Sequence, residues 1–366
     1  MQKIKYFNNE FMDEQRKTTD LLADQAVRSL FESGQARYFR KVTELLDSND
    51  YKIPDDLPED MKRYLRQSSE LPAWADQKKI LAGQEFFKKH AASLSLMLGL
   101  MSLPYDYAAA NGAQVLIMSE RLNYDTGKRL AETGKYVFDV GSPAGFSPEG
   151  KAIASAQKVR LIHAAIRYHI KKTGKWQEEW GEPVNQEDMA GTNLSMSLIP
   201  VRGMRKLGID VSRDACMAYV HLWNVASYVM GVREELLPDT AKEAFLLDKV
   251  ITERQFRQSE AGKSLTSALL DYVGQQSNTQ LKWLAPSLMR YLLGDSLADT
   301  LGVPPVSLPT ELLVNPLQQW NRLIGVLQPN FESFYQAKSM YLQNSRKLNK
   351  GKAVKLNVPD KLKFKA

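Results

Sequence analysis

Apolar residues recur three and four apart along almost the whole chain, the spacing that gives a helix one buried face. Between residues 10 and 47 the stripe runs through Leu21, Leu22, Ala26, Val27, Leu30 and Phe31, and the stretch from Ser48 through Pro58 interrupts it as a connection. A helix ends near Leu71 and Pro72. The next starts at about Asp76, whose side chain can cap the amides of Gln77, Lys78, Lys79 and Ile80. Further helices are expected over 124–136, 151–169, 186–207, 212–231, 239–255, 260–275, 279–301, 309–326 and 329–345. The first two of these are separated by a turn-rich segment from Gly141 to Gly150 that holds Pro143 and Pro148. No stretch places a strand, and no internal repeat or heptad array occurs. The pattern predicts an all-α helical bundle with an N-terminal helical region at 1–70, a main domain at 71–345 and a C-terminal tail at 346–366.

The longest uncharged stretch, Ala91 to Tyr105, is closed by Asp106 and contains Pro104. It falls short of the roughly 18 apolar residues that a membrane span needs, so a buried helix is expected there. A chain of 366 residues can bury a sizeable core. Its formal charge of +7 is concentrated at the end: from Arg346 on, eight basic residues face the single acid Asp360, which leaves the body formally neutral. That distribution argues against a nucleic-acid surface. The tail is expected to be solvated and removable, with weak contact to an acidic membrane surface as its one interaction. The lone cysteine, Cys216, excludes an intrachain disulfide, and together with an N-terminus lacking an apolar targeting core it fits a cytoplasmic protein.

Nucleophile-elbow, dinucleotide, phosphate-loop, His-Glu-x-x-His and Cys-x-x-Cys motifs are all missing from the sequence, which leaves hydrolase, nicotinamide and caged-metal readings without support. Two helical constellations carry chemistry. In Arg160-Leu-Ile-His163-Ala-Ala-Ile-Arg167 the histidine shares a face with an arginine on either side. Two guanidinium groups would keep the imidazole neutral and able to ligate a metal; a histidine at the edge of a core, flanked by solvated arginines, fits the same residues. The second constellation is Arg129, Glu132 and Thr133, which project together from one face. An exposed helix with Asp125 paired to Arg129 is the alternative there. His169 lies six residues from His163 on a separate face, and His90 and His221 read as structural. Glu187, Asp188 and Thr192 can serve as acid-base groups or, more simply, belong to a helix capped near Asn185.

These blocks, with Ala218-Tyr219-Val-His221-Leu-Trp223 through Gly231 to Pro238, follow one another in an order that resembles the family of latex-clearing proteins and MpaB-type oxygenases, across roughly 70–305. The resemblance implies a globin-like core holding haem b, with His163 as proximal iron ligand. Arg160 and Arg167 would orient its helix or pair with haem propionates, and Arg129 and Thr133 would donate hydrogen bonds to dioxygen on the opposite side. The implied function is a haem-dependent oxygenase or oxidase acting on an apolar, unsaturated substrate. Two departures stand out. Rubber-cleaving members carry a lysine where this chain has Glu132, and a catalytic acid one helix upstream, where this chain has Asn111, Gly112, Ala113 and Gln114, with Asp106 and Glu120 as the nearest acids. Glu132 beside Arg129 could itself accept a substrate proton. A noncatalytic haem or apolar-ligand binder, and a haem-free helical scaffold, are the other two readings.

Overall fold

A computed structural model describes residues 7–119, 121–276, 279–305, 314–319, 321–322, 332–354 and 356. Among them the fold is all-α, with an isolated bridge between Ala109 and Phe256 and no strand. The helix starts follow side-chain chemistry. Asp20, Asp76, Asn185, Ser212 and Thr240 each accept a hydrogen bond from a first-turn amide and so open α2 (Leu21–Glu32), α5 (Gln77–Met97), α10 (Gln186–Lys206), α11 (Arg213–Val229) and α12 (Ala241–Gln255). The expected helix over 279–301 is two helices, Thr279–Leu293 and Asp295–Thr300, divided at Gly294, whose φ of 86° only glycine adopts readily. Most of the helix expected over 309–326 lies outside the described residues.

The uncharged stretch after Ala91 is a helix buried on one face, through Leu94, Met97, Leu100 and Met101, and exposed at Ala92, Ser95 and Leu96, with a local change of pitch. Helix α5 gives way to a π turn over Leu98–Ser102, which passes directly into α6 (Leu103–Ala108). Pro104 sits in the first turn of α6, where the missing amide costs nothing. A widened turn of this kind rotates the following residues relative to the helix before it, and α6 brings Tyr105, Asp106 and Tyr107 onto the wall of an internal cavity. Helix α5 lies against α11 so closely that a Cβ on Gly83 would meet the Ala218 carbonyl oxygen at 2.7 Å.

Two large apolar clusters meet on α9 (Ala152–Lys172), beside a small third one of Val115, Ile162, Ile166 and Ile170. The larger joins α5, α8 (Arg121–Gly141), α10 and α11 through Phe87, Met97, Leu194, Leu222 and Trp223. The second large one joins α2, α3 (Arg37–Leu45) and α4 (Glu59–Ser68) to Ala154, Leu161, Ala164 and Ala165 of α9. The alanines on that face let α2 approach α9, so the N-terminal region forms the outer support of the helix that carries His163.

The expectation of a solvated tail from 346 on fails for its described part, 346–354 and 356, while 357–366 lie outside the described residues. Beyond the helix Phe334–Leu348 the chain turns back, the Val354 amide donates to Ser345 Oγ at 2.7 Å, and Val354 and Leu356 are buried. The basic count hid these two apolar residues, each of which contributes about 1.5–3 kcal/mol when fully buried. Truncation after Asn349 is therefore expected to lower the thermal midpoint by several degrees, measured by circular dichroism. An unchanged midpoint would restore the solvated reading.

Candidate functional site

The cavity offers about 270 Å³ to the centres of water-sized molecules and is walled by α6, α8, α9, α10, α11, α12 and the short helix α7 (Ala110–Met118). It brings together His163 from α9 and Arg129, Glu132 and Thr133 from α8. The two helices are joined by the segment 142–151, which returns α9 alongside α8 so that motifs far apart in sequence become opposed walls. Lys151 makes no side-chain cap for α9; Asn49 replaces it from the N-terminal region. Asn49 Oδ1 accepts from the amides of Ile153 and Ala154 at 3.0 and 3.1 Å, while its Nδ2 donates to the carbonyls of Gly145 and Ser147 at 2.9 and 2.6 Å. One residue of the interhelical connection thus fixes both the turn and the start of the His163 helix.

Arg160 and Arg167 do not line the cavity. Arg160 grips Asp20 with Nε at 2.5 Å and Nη2 at 2.8 Å and donates to the Val229 carbonyl at 2.9 Å. Arg167 donates to Asp24 at 2.7 Å and to the Val184 carbonyl at 3.1 Å. Both carboxylates belong to the first turn of α2, one as its N-cap. Each guanidinium charge is countered at contact distance, so the two arginines anchor α9 rather than act on His163 as bare cations.

Arg129 is withdrawn from bulk water but borders the cavity. Burial pulls its guanidinium below the ordinary arginine range, opposed by Tyr107, Glu132 and Asp106. Among the described residues its Nη1 has no hydrogen-bond partner, and the same holds for the hydroxyls of Tyr107 and Tyr136, all on cavity-lining residues. Buried donors without acceptors are costly, and three of them border this one cavity. The Asp125 side chain, the alternative partner for Arg129, lies outside the described residues.

Three further acids on the wall, Glu187, Asp188 and Asp248, are committed to cations. Glu187, fully buried, accepts from Arg16 at 3.2 Å, Arg254 at 2.8 Å and Gln255 at 3.0 Å. Asp188 pairs with Arg16 at 3.0 Å and accepts from Asn185 Nδ2 at 2.9 Å; burial still lifts its carboxyl above the usual range. Asp248 accepts from Arg202 at 2.5 Å and Tyr105 at 2.7 Å. Asn185 caps α10 as its sequence suggested, and Thr192 turns back to the Asp188 carbonyl. His221 accepts from the Asp76 amide at 3.0 Å. His90 marks a kink in α5, and burial takes its imidazole down to about 4.

Sequence reasoning named Asp106 only as one of the acids nearest the missing upstream carboxyl, and it missed Tyr107, Tyr136 and Trp223 as cavity residues. Tyr136 was within reach, since it continues the Arg129, Glu132, Thr133 face by one more turn. Among the described residues no group of three or more histidine, cysteine, aspartate or glutamate side chains could hold a metal ion. A metal at His163 would have to bring the rest of its ligands with it.

Fold and cavity together define an all-helical protein with an internal cavity between a histidine helix and an arginine–threonine helix. The model of the family described as ER-bound oxygenase mpaB/B'/Rubber oxygenase, catalytic domain, matches residues 88–327, and the chain belongs to that family. Among curated proteins it is similar to the rubber oxygenase of Streptomyces sp. (strain K30), at 26% identity over 284 residues that span 77% of this chain and 70% of the relative. Its fold matches the structure of latex clearing protein LCP in the closed state, with a TM-score of 0.80, 23% identity, and 94% and 95% of the two chains covered.

Proposed function

We propose that this protein is a haem b-dependent oxygenase or oxidase whose substrate is a small, apolar, unsaturated molecule. One observation carries the reading: a single cavity gathers His163, Arg129, Glu132 and Thr133 among apolar walls. The residues fit haem b, because one imidazole suffices for an iron already held by a porphyrin, and the donors at Arg129, Tyr107 and Tyr136 lack acceptors among the described residues, which propionates or a ligand would provide. When bound, the haem supplies the iron that activates dioxygen. The protein's residues supply the setting. His163 holds the group from α9, and Arg160 and Arg167 set the direction of that helix through Asp20 and Asp24. Arg129 and Thr133 offer hydrogens where negative charge gathers on oxygen, and Glu132 counters the Arg129 charge.

Rubber is a hydrocarbon chain with isolated carbon–carbon double bonds, and Leu116, Val159, Ile162, Ile166 and Phe256 on the wall suit an apolar, unsaturated molecule. The shape of those walls selects among alkenes. No helix among the described residues is long and apolar enough to cross a membrane.

Expression with ample haem tests the reading. The purified protein is expected to show a Soret band at one haem per chain and to consume oxygen with an unsaturated hydrocarbon or lipid. Mass spectrometry of copurified molecules would name the ligand. A stable haem complex that never consumes oxygen would leave a binding protein, and a colourless protein would leave a scaffold.

A further inference from the structure

We propose that Asp106 is the carboxyl group that exchanges protons with the substrate in this cavity. The proposal deepens the oxygenase reading and rests on it for its substrate. Asp106 stands on α6 directly after the π turn, and lines the same cavity as Arg129, Thr133 and His163. Glu187, Asp188 and Asp248 on that wall are all in ion pairs, whereas Asp106 is in none among the described residues. Its hydrogen bond comes from a neutral group, Ser195 Oγ, at 2.8 Å.

Ser195 makes both charge states of Asp106 tenable. Its single hydroxyl hydrogen has two acceptors in reach, Asp106 Oδ2 at 2.8 Å and the Thr192 carbonyl at 2.9 Å. With Asp106 charged, the hydroxyl donates to the carboxylate. With Asp106 neutral, the hydroxyl can turn to Thr192 and accept the carboxyl proton. The charged groups that act on Asp106 are Arg129 from α8 and Asp188 from α10, and the Tyr107 phenol stands beside it on α6. Burial raises the carboxyl to about 7, against the pull of Ser195 and Arg129 and with the help of Asp188. A group poised there both accepts and returns protons at neutral pH. In the charged form an Asp106 oxygen takes a proton from a C–H or O–H of the substrate, leaving the electron pair on that atom. The neutral acid then returns the proton to the product, so Asp106 is unchanged over the cycle.

Difference infrared spectroscopy of the substrate-free holoprotein from about pH 5 to 9 brackets a midpoint near 7. A protonated carboxyl band is expected to vanish across that midpoint. Asp106→Asn should lack it, and Ser195→Ala should move it upward, because the bond that favours the charged form is gone. Stability gives a second readout. A folded pKa above the unfolded one adds stability at acid pH that is lost as pH rises through about 7, and Asp106→Asn should remove that slope. In turnover, Asp106→Asn should lower kcat by about 10²–10⁴-fold and abolish the pH inflection, while Glu132→Gln keeps the inflection. Full turnover in Asp106→Asn, an inflection that follows Glu132 instead, or a carboxyl band that does not titrate would each overturn the proposal. If the wild-type protein oxidises nothing, the oxygenase reading falls, and the infrared titration alone decides whether Asp106 exchanges protons in the cavity.

Discussion

His163→Ala is expected to strip the protein of haem while leaving its fold in place. His163 is half-buried on the cavity wall and belongs to none of the apolar clusters. Alanine is the best helix former, so the substitution costs α9 nothing in propensity. The anchors of α9 also survive, since Asn49 still caps it and Asp20 and Asp24 still hold Arg160 and Arg167. What disappears is the one imidazole available to the iron from the cavity wall, and the Soret absorbance per chain should fall by tenfold or more with an unchanged far-ultraviolet circular dichroism spectrum. Added imidazole should restore part of it by filling the space the side chain leaves. Replacing His221, which accepts from the Asp76 amide, or His169, which packs on Phe31 and Tyr168, should leave haem content alone. If His163→Ala keeps stoichiometric haem with an unaltered spectrum, another residue is the ligand.

Local rules made most of the fold readable. Asp76, Asn185 and Ser212 stand where a short polar side chain meets an apolar period, and each opens a helix within a residue of the expected start. The misses come from forces that local pattern does not carry. The π turn at Leu98–Ser102 runs straight into α6, and apolar periodicity in an uncharged stretch does not report a local change of pitch. The tail was misread because eight basic residues outweigh Val354 and Leu356 in any count, although two buried side chains are enough to dock a segment.

The candidate site divides in the same way. Arg129, Glu132, Thr133 and His163 each share a helix face with their neighbours, but spacing alone fits a solvated face equally well; the family resemblance singled them out, and the structure places all four on one cavity. The partners of Arg160 and Arg167 could not, because Asp20 and Asp24 lie about 140 residues upstream, and only tertiary packing of α2 on α9 joins them. Asp106 is the extreme case. Its chemistry depends on Ser195, Arg129 and Asp188, contributed by two other helices, and on burial that no spacing rule expresses.

Glu187→Ala is expected to be the most destabilising single change in the cavity wall. Glu187 is fully buried, and its two oxygens bind Arg16 from the first helix, Asn9–Arg16, together with Arg254 and Gln255 from the end of α12. Removing one member of a buried ionic network costs about 3–5 kcal/mol, because the charges left behind remain buried without their counterion. Two neighbours soften the loss: Arg16 keeps Asp188 at 3.0 Å and Arg254 keeps Asp13 at 2.6 Å. A fall in thermal midpoint on the order of 5–10 °C follows for a chain of this size. The damage should also be local, since Glu187 ties the first helix and α12 to α10. Hydrogen exchange is therefore expected to speed up first in Asn9–Arg16 and at the end of α12, before it reaches α5 and α11. Glu187→Gln, which keeps the shape and one acceptor, should lose about half as much as the alanine variant. Equal loss in both would show that charge alone holds the network together; no loss in either would show that the first helix is held by its apolar contacts at Met12 and not by these ion pairs.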